Sequence, residues 1–205
     1  MLNSLSQTLI KITSPGVPDF YQGTELWDLS LVDPDNRRPV DFEKRRAMLA
    51  SIRQQEDSHI GRLIKDLLCT REDGKIKLFL IYRALKSRRC QREIFREGAY
   101  VPLESAGRFK SHVIAFARRY HQQWAIVIAP RLLSHLVEEG DFPLGKQVWQ
   151  DTEVIMPDWA PLEWRNVITG EALSTGSPLP VGDVLYSFPV ALLIGEGNQR
   201  YAQTS

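Results

Sequence analysis

Ser14-Pro15-Gly16-Val17-Pro18-Asp19-Phe20-Tyr21-Gln22-Gly23 is the stretch on which the rest of the chain hinges. Pro15 and Gly16 end the segment before it, Gly23 breaks the chain beyond it, and between them lies a short apolar and aromatic run. Such a run between breakers predicts one brief buried strand. Upstream, Leu5, Leu9 and Ile12 recur at helical spacing between Asn3 and Ile12, with Asn3 or Ser4 available as a cap. Downstream, residues 24 to 41 carry too much charge and proline for a core element and predict a long loop. A loop of that length inside a domain is usually functional.

Beyond the loop, Asp41 can cap a helix from Phe42 to about Gln55, with Phe42, Arg45, Met48, Leu49 and Ile52 along one face. Ile60 to Leu68 gives another short helix, and Gly74 breaks the chain. Leu78, Ile81, Tyr82 and Leu85 then set a stripe running into Lys86-Ser87-Arg88-Arg89, where cations suit the end of a helix. After Gly98 the period changes. Ala99–Leu103, Ser111–Arg118, Gln123–Ala129, Thr152–Met156, Trp164–Thr169 and Tyr186–Ile194 read as strands, which predicts an all-β domain arranged as a small antiparallel sandwich. Hairpins are expected at residues 119 to 122 and around Gly170. The expected division is a first part, 1–96, holding the brief strand, the long loop and the helices, and a β-sandwich domain, 97–205, packed against each other.

At 205 residues the chain is too short for a complete (β/α)8 barrel, and at 43% hydrophobic and 25% charged it is neither disordered nor fibrous. The net charge of +1 hides an asymmetry: residues 37 to 119 hold 21 basic against ten acidic side chains, and both flanks are acidic. Those cations match no nucleic-acid motif, so no nucleic-acid partner is expected. With no run of about 18 apolar residues and no basic start to a signal peptide, neither a membrane partner nor export is expected. A cytoplasmic location is the resulting expectation. Cys69 and Cys90 lack CxxC spacing and read as two buried thiols in a reducing compartment.

The chain has no GxSxG elbow, no HExxH and no phosphate-cradling glycine loop. Asp33-Pro34-Asp35-Asn36 begins like a calcium loop but continues with Arg37 and Arg38, so no metal is expected. What remains is a concentration of polar, planar and aromatic side chains: Tyr21, Gln22, Glu25, Trp27, Asp28, Asp33, Asp35, Asn36, Arg37 and Arg38. Carboxylates, amides and guanidinium forks bond vicinal hydroxyls, and aromatic faces cover a pyranose, so the mixture suits a sugar. An Asp/Arg network that merely stiffens a proline-bound loop fits the same residues equally well.

Ser14 to Trp27, together with Asp33-Pro34-Asp35-Asn36-Arg37-Arg38-Pro39-Val40-Asp41, resembles the end of the catalytic barrel in α-amylase-type glycoside hydrolases, and in particular their trehalose-forming branch. Asp73 to Leu78, Phe95 to Gly98 and Tyr100 to Leu103 are similar to that branch as well. The resemblance implies an α+β fragment: the last strand and helices of a (β/α)8 barrel, then an antiparallel β-sandwich. It implies an intramolecular transglucosylase that converts the reducing-end α-1,4 bond of a maltooligosaccharide into the α,α-1,1 bond of trehalose, with no cofactor. The nucleophile, the general acid/base and the transition-state-stabilising carboxylate of that chemistry lie upstream of the matched part, so no catalytic residue is carried over. Asp33, Asp35, Asn36, Arg37 and Arg38 match a loop that lines the cleft, with Tyr21, Gln22 and Glu25 as further substrate-side candidates. The expected partners are the maltooligosaccharide and the remaining barrel, supplied by a separate chain or replaced by self-association. The chain alone is expected to be inactive, and a non-catalytic carbohydrate-binding or scaffold module is the alternative. Without its strand neighbours, the part up to residue 95 is expected to leave apolar side chains exposed.

Overall fold

Apolar side chains at positions 5, 9 and 12 fall on one face of a helix, and that face is fully buried. The computed structural model describes residues 1–30, 37–174 and 176–197. In it α1 spans Leu2–Thr13, α2 Phe42–Cys69, α3 Lys75–Cys90 and α4 Arg92–Arg96. Asp41 caps α2 as its position predicts, its carboxylate accepting from Lys44 N at 2.8 Å. Asp41→Ala should therefore cost about 1 kcal/mol in urea-monitored unfolding, the usual worth of such a cap. His59, with φ −151° and ψ 51°, interrupts α2 and separates the two shorter helices read from the sequence.

The remaining elements are β1 Ala99–Pro102, β2 Ser105–Ala106, β3 Val113–Tyr120, β4 Gln123–Pro130, α5 Gly145–Trp149, β5 Glu153–Val154, β6 Glu163–Asn166, β7 Ala172–Ser174, β8 Leu179–Pro180, α6 Val181–Val184 and β9 Ala191–Glu196. One antiparallel sheet runs β1-β3-β4-β9-β6-β7, and a smaller one runs β2-β5-β8. His121, at φ +53°, helps close the β3–β4 hairpin at the predicted place, and Gly170, at φ +81°, lies in the β6–β7 turn.

Alternation across the large sheet explains the unbroken apolar run in β4. Trp124, Ile126 and Ile128 point into a core shared with Val154, Leu179 and Trp149. Ala125 and Val127 point the other way, into a core shared with α1, α3 and α4. Both faces of β4 are thus dry, so no polar position interrupts it. α1 lies on this sheet and on α3, and Ser6 Oγ donates to Pro130 O at 2.8 Å.

The structure corrects three expectations. Residues 17–23 form no strand: no neighbouring strand offers a ladder, and Val17 is 93% exposed. Cys69 and Cys90 are exposed, because each is the last residue of its helix. The second half is not purely β, since α6 packs beside the small sheet and α5 packs on α6. Apolar exposure in the first part is local: Leu5, Leu9 and Ile12 are buried, whereas Val17, Leu29 and Phe42 are open. Among the described residues, no helix is long and apolar enough to cross a membrane.

Candidate functional site

The carbonyl groups at the end of a helix need donors, and at the end of α1 two arginines provide them. Arg88 donates to Ile12 O and Gly16 O, and Arg118 Nη1 donates to Thr13 O at 3.3 Å. Arg118 also donates from Nε and Nη2 to Gly98 O, at 3.2 and 2.6 Å. Burial lowers the pKa of both guanidiniums, and the charge of Arg88 lowers that of Arg118 further. The residues leading into the candidate loop are thereby anchored to α3 and β3.

The chain then turns at residues 22–25, where Thr24 donates from N and Oγ1 to Tyr21 O at 3.1 and 2.7 Å. Glu25 Oε2 accepts from Gly23 N at 3.0 Å and from Arg45 Nε at 2.9 Å. Arg45 Nη2 donates to Gly23 O at 2.6 Å and Nη1 to Asp41 O at 3.1 Å. One guanidinium on the first turns of α2 therefore fastens both ends of the loop between Gly23 and Asp41. The turn is tight enough that a Cβ on Gly23, at φ +95°, would lie 3.2 Å from Val40.

Farther along, Trp27 Nε1 donates to Arg71 O at 2.6 Å and Lys77 Nζ to Leu26 O at 3.3 Å. Asp28 accepts from Ser30 Oγ at 2.6 Å and Ser30 N at 2.9 Å, and these bonds lower its pKa. Burial lowers the pKa of Lys77, and neighbouring Lys11 adds to this, against the opposing charges of Asp28 and Glu25.

Of the residues singled out in the sequence, Tyr21 and Gln22 are exposed on the turn, and Glu25 is partly buried and bonded to Arg45. Arg37 and Arg38 are exposed just before the Asp41 cap. Asp33, Asp35 and Asn36 lie outside the described residues. The sequence reading missed Arg45, which it placed only on a helix face. A cation on an otherwise apolar stripe, four residues after a capping Asp, was the signal.

No protein-family model matches the chain. Two curated Mycobacterium tuberculosis proteins, from strains CDC 1551 and H37Rv, bear the name maltooligosyl trehalose synthase and are 33% identical over 192 residues, 94% of this chain and 20% of theirs. The solved maltooligosyltrehalose synthase of Arthrobacter ramosus superposes with a TM-score of 0.71 at 34% identity, over 95% of this chain and 22% of that one. The chain matches about a fifth of a maltooligosyltrehalose synthase. A solved glycosyltrehalose synthase, DSM5389, superposes with a TM-score of 0.63 at 25% identity and is covered to 20%. An Anoxybacillus α-amylase, 14% identical at a TM-score of 0.53, shares the fold alone. Most of each maltooligosyltrehalose synthase lies outside the match.

Proposed function

We propose that this chain is the C-terminal part of an intramolecular transglucosylase, an isomerase that turns the reducing-end α-1,4 bond of a maltooligosaccharide into the α,α-1,1 bond of trehalose. Residues 1–96 supply the end of a (β/α)8 barrel, its helices and the segment 17–23 that pairs as the last strand once the remaining barrel is beside it, and residues 97–205 supply a β-sandwich. The reading is supported above all by 33% identity to proteins named maltooligosyl trehalose synthase across 94% of the chain. It works in the cytoplasm without a cofactor, and the reacting carboxylates come from the remaining barrel, on the same or a partner polypeptide.

Within that division of labour the chain furnishes a wall. Retaining transfer passes through a glycosyl-enzyme that water would hydrolyse. An isomerase must therefore hold the released glucose, turn its anomeric hydroxyl toward the glycosyl carbon, and keep water out. Tyr21, Gln22, Glu25, Asp33, Asp35, Asn36, Arg37 and Arg38 are the residues assigned to that task. Arg45 supports it by closing the base of the loop, which lowers the entropy lost when the wall meets sugar.

The test is reconstitution: the remaining barrel is restored, as one polypeptide or as a partner chain, and given maltopentaose. A trehalose-ended, non-reducing product is expected. A product that stays fully reducing despite turnover rejects the isomerase, and maltooligosaccharide binding confined to residues 99–195 favours the scaffold alternative.

A further inference from the structure

Two cations meet at the end of α1 with no carboxylate to receive them. Arg118 is only 2% exposed and Arg88 is half-buried, and neither forms an ion pair among the described residues. Burying a cation that carbonyl groups alone receive costs stability, and such exceptions gather where function sets the geometry. Helix capping accounts for the bonds to Ile12 O and Thr13 O, in the last turn of α1. It does not account for Gly16 O, beyond the helix, or for Gly98 O, between α4 and β1. Gly16 is a bend at φ +108° where an added Cβ would meet nothing within 4 Å, and Val17 is open to solvent. Side-chain packing therefore does not set the course of the chain there. Arg88 holds it, and the next hold is Phe20, whose ring lies 3.8 Å from Lys11 Nζ.

We infer that Arg88 and Arg118 are positioning residues for the transfer: they fix where residues 17–23 leave α1, and through that segment where Tyr21 and Gln22 stand. The inference rests on the transglucosylase reading and gives the strand-rich part a share in it. Arg118 lies on β3 and ties that strand to Thr13 O and Gly98 O at once, so the large sheet is the frame from which the segment departs. Its planar fork donates along fixed directions, which a flexible amine does not. Neither arginine reaches the sugar, and both act through the backbone they hold. A positioned step loses about 10²-fold when a group is misplaced by about 1 Å, so releasing one of two anchors should cost about tenfold.

The experiment compares wild type with Arg88→Met, Arg118→Lys and Ser6→Ala, first as the chain alone and then with the remaining barrel restored. Ser6 is the control, because its bond to Pro130 O also joins α1 to the sheet but lies in the first half of the helix. In the chain alone, NMR order parameters of the amides of residues 16, 17, 19 and 20 should fall from about 0.85 to below about 0.6 in both arginine variants. Those of β4 should stay near about 0.85 in every folded variant, and Ser6→Ala should match wild type at residues 16–20. With the barrel restored, both arginine variants should raise the ratio of free glucose to trehalose-ended product about tenfold and lower kcat for isomerisation, while KM for maltopentaose changes less than about twofold. If Arg118→Lys does not fold, Arg88→Met decides, its site being only half-buried. Unchanged order parameters at residues 16–20, or a wild-type ratio in a folded arginine variant, would overturn the inference. So would an equal rise in Ser6→Ala, which would make the effect one of stability. A wild type that forms no trehalose-ended product sinks the transglucosylase reading and this role with it, whereas a productive wild type beside variants of equal ratio sinks the positioning role alone.

Discussion

Glu56→Ala is expected to lower the unfolding free energy by about 3–5 kcal/mol, the cost of stranding one partner of a buried ion pair. The Glu56 side chain, on α2, is only 5% exposed. It accepts from Tyr82 Oη at 2.7 Å and Lys86 Nζ at 2.9 Å through one oxygen, and from Arg83 Nη1 at 3.1 Å through the other. Arg83, itself 14% exposed, also donates from Nε to Val167 O at 2.8 Å, so the cluster joins α2, α3 and the strand-rich part. Removing the carboxylate leaves a largely buried guanidinium without its counter-charge. Lys86 is half exposed, and Lys86→Ala should cost about 1 kcal/mol or less. Burial by itself raises the Glu56 pKa, but the bonds from Tyr82, Lys86 and Arg83 outweigh it and hold the value below 4.5. The unfolded chain therefore binds the proton more readily than the folded one. The cluster's contribution is complete above the unfolded value and is lost as pH falls through the lower folded value. Urea midpoints of wild type and Glu56→Ala should thus converge only in acid, below about pH 4.5. Equal stabilities at pH 7 would contradict this role.

In the reconstituted enzyme, Arg38→Ala should raise the ratio of free glucose to trehalose-ended product at least about tenfold, while total cleavage of maltopentaose changes less. The two halves of the reaction depend on different groups. In the proposed division of labour, bond cleavage belongs to carboxylates outside this chain, whereas retention of the released glucose belongs to the wall. A wall that loosens its hold lets water reach the glycosyl-enzyme, and misplacement by about 1 Å is enough to cost about 10²-fold in a positioned reaction. Arg37→Ala should act in the same direction. A parallel fall in both products, with their ratio fixed, would assign these arginines to folding or to ground-state binding instead.

Sequence alone revealed the elements whose pattern is long enough to have a period. α1, the two parts of α2 and most of α3 carry apolar stripes, and Asp41 announces its cap. β3 and β4 are long, and β4 is dry on both faces, so they too were evident. β2, β5 and β8 are two residues each, and α5 and α6 only five and four, which leaves no room for alternation or a full amphipathic turn. The Val17–Gly23 pattern is a genuine strand signal in a chain that offers it no partner, which is why local pattern and observed structure part company there. For the site, residue types pointed to a sugar or to a stiffened loop, and the geometry shows how one residue can serve the second purpose. Glu25 is held by Arg45 across a separation in sequence that no local motif marks.

The decisive measurement is product analysis of maltopentaose incubated with this chain alone, read as trehalose-ended saccharide. A wall without its reacting carboxylates predicts no such product at any protein concentration, and its appearance only when the remaining barrel is added. Trehalose-ended product from the isolated chain would contradict the claim that catalysis resides elsewhere.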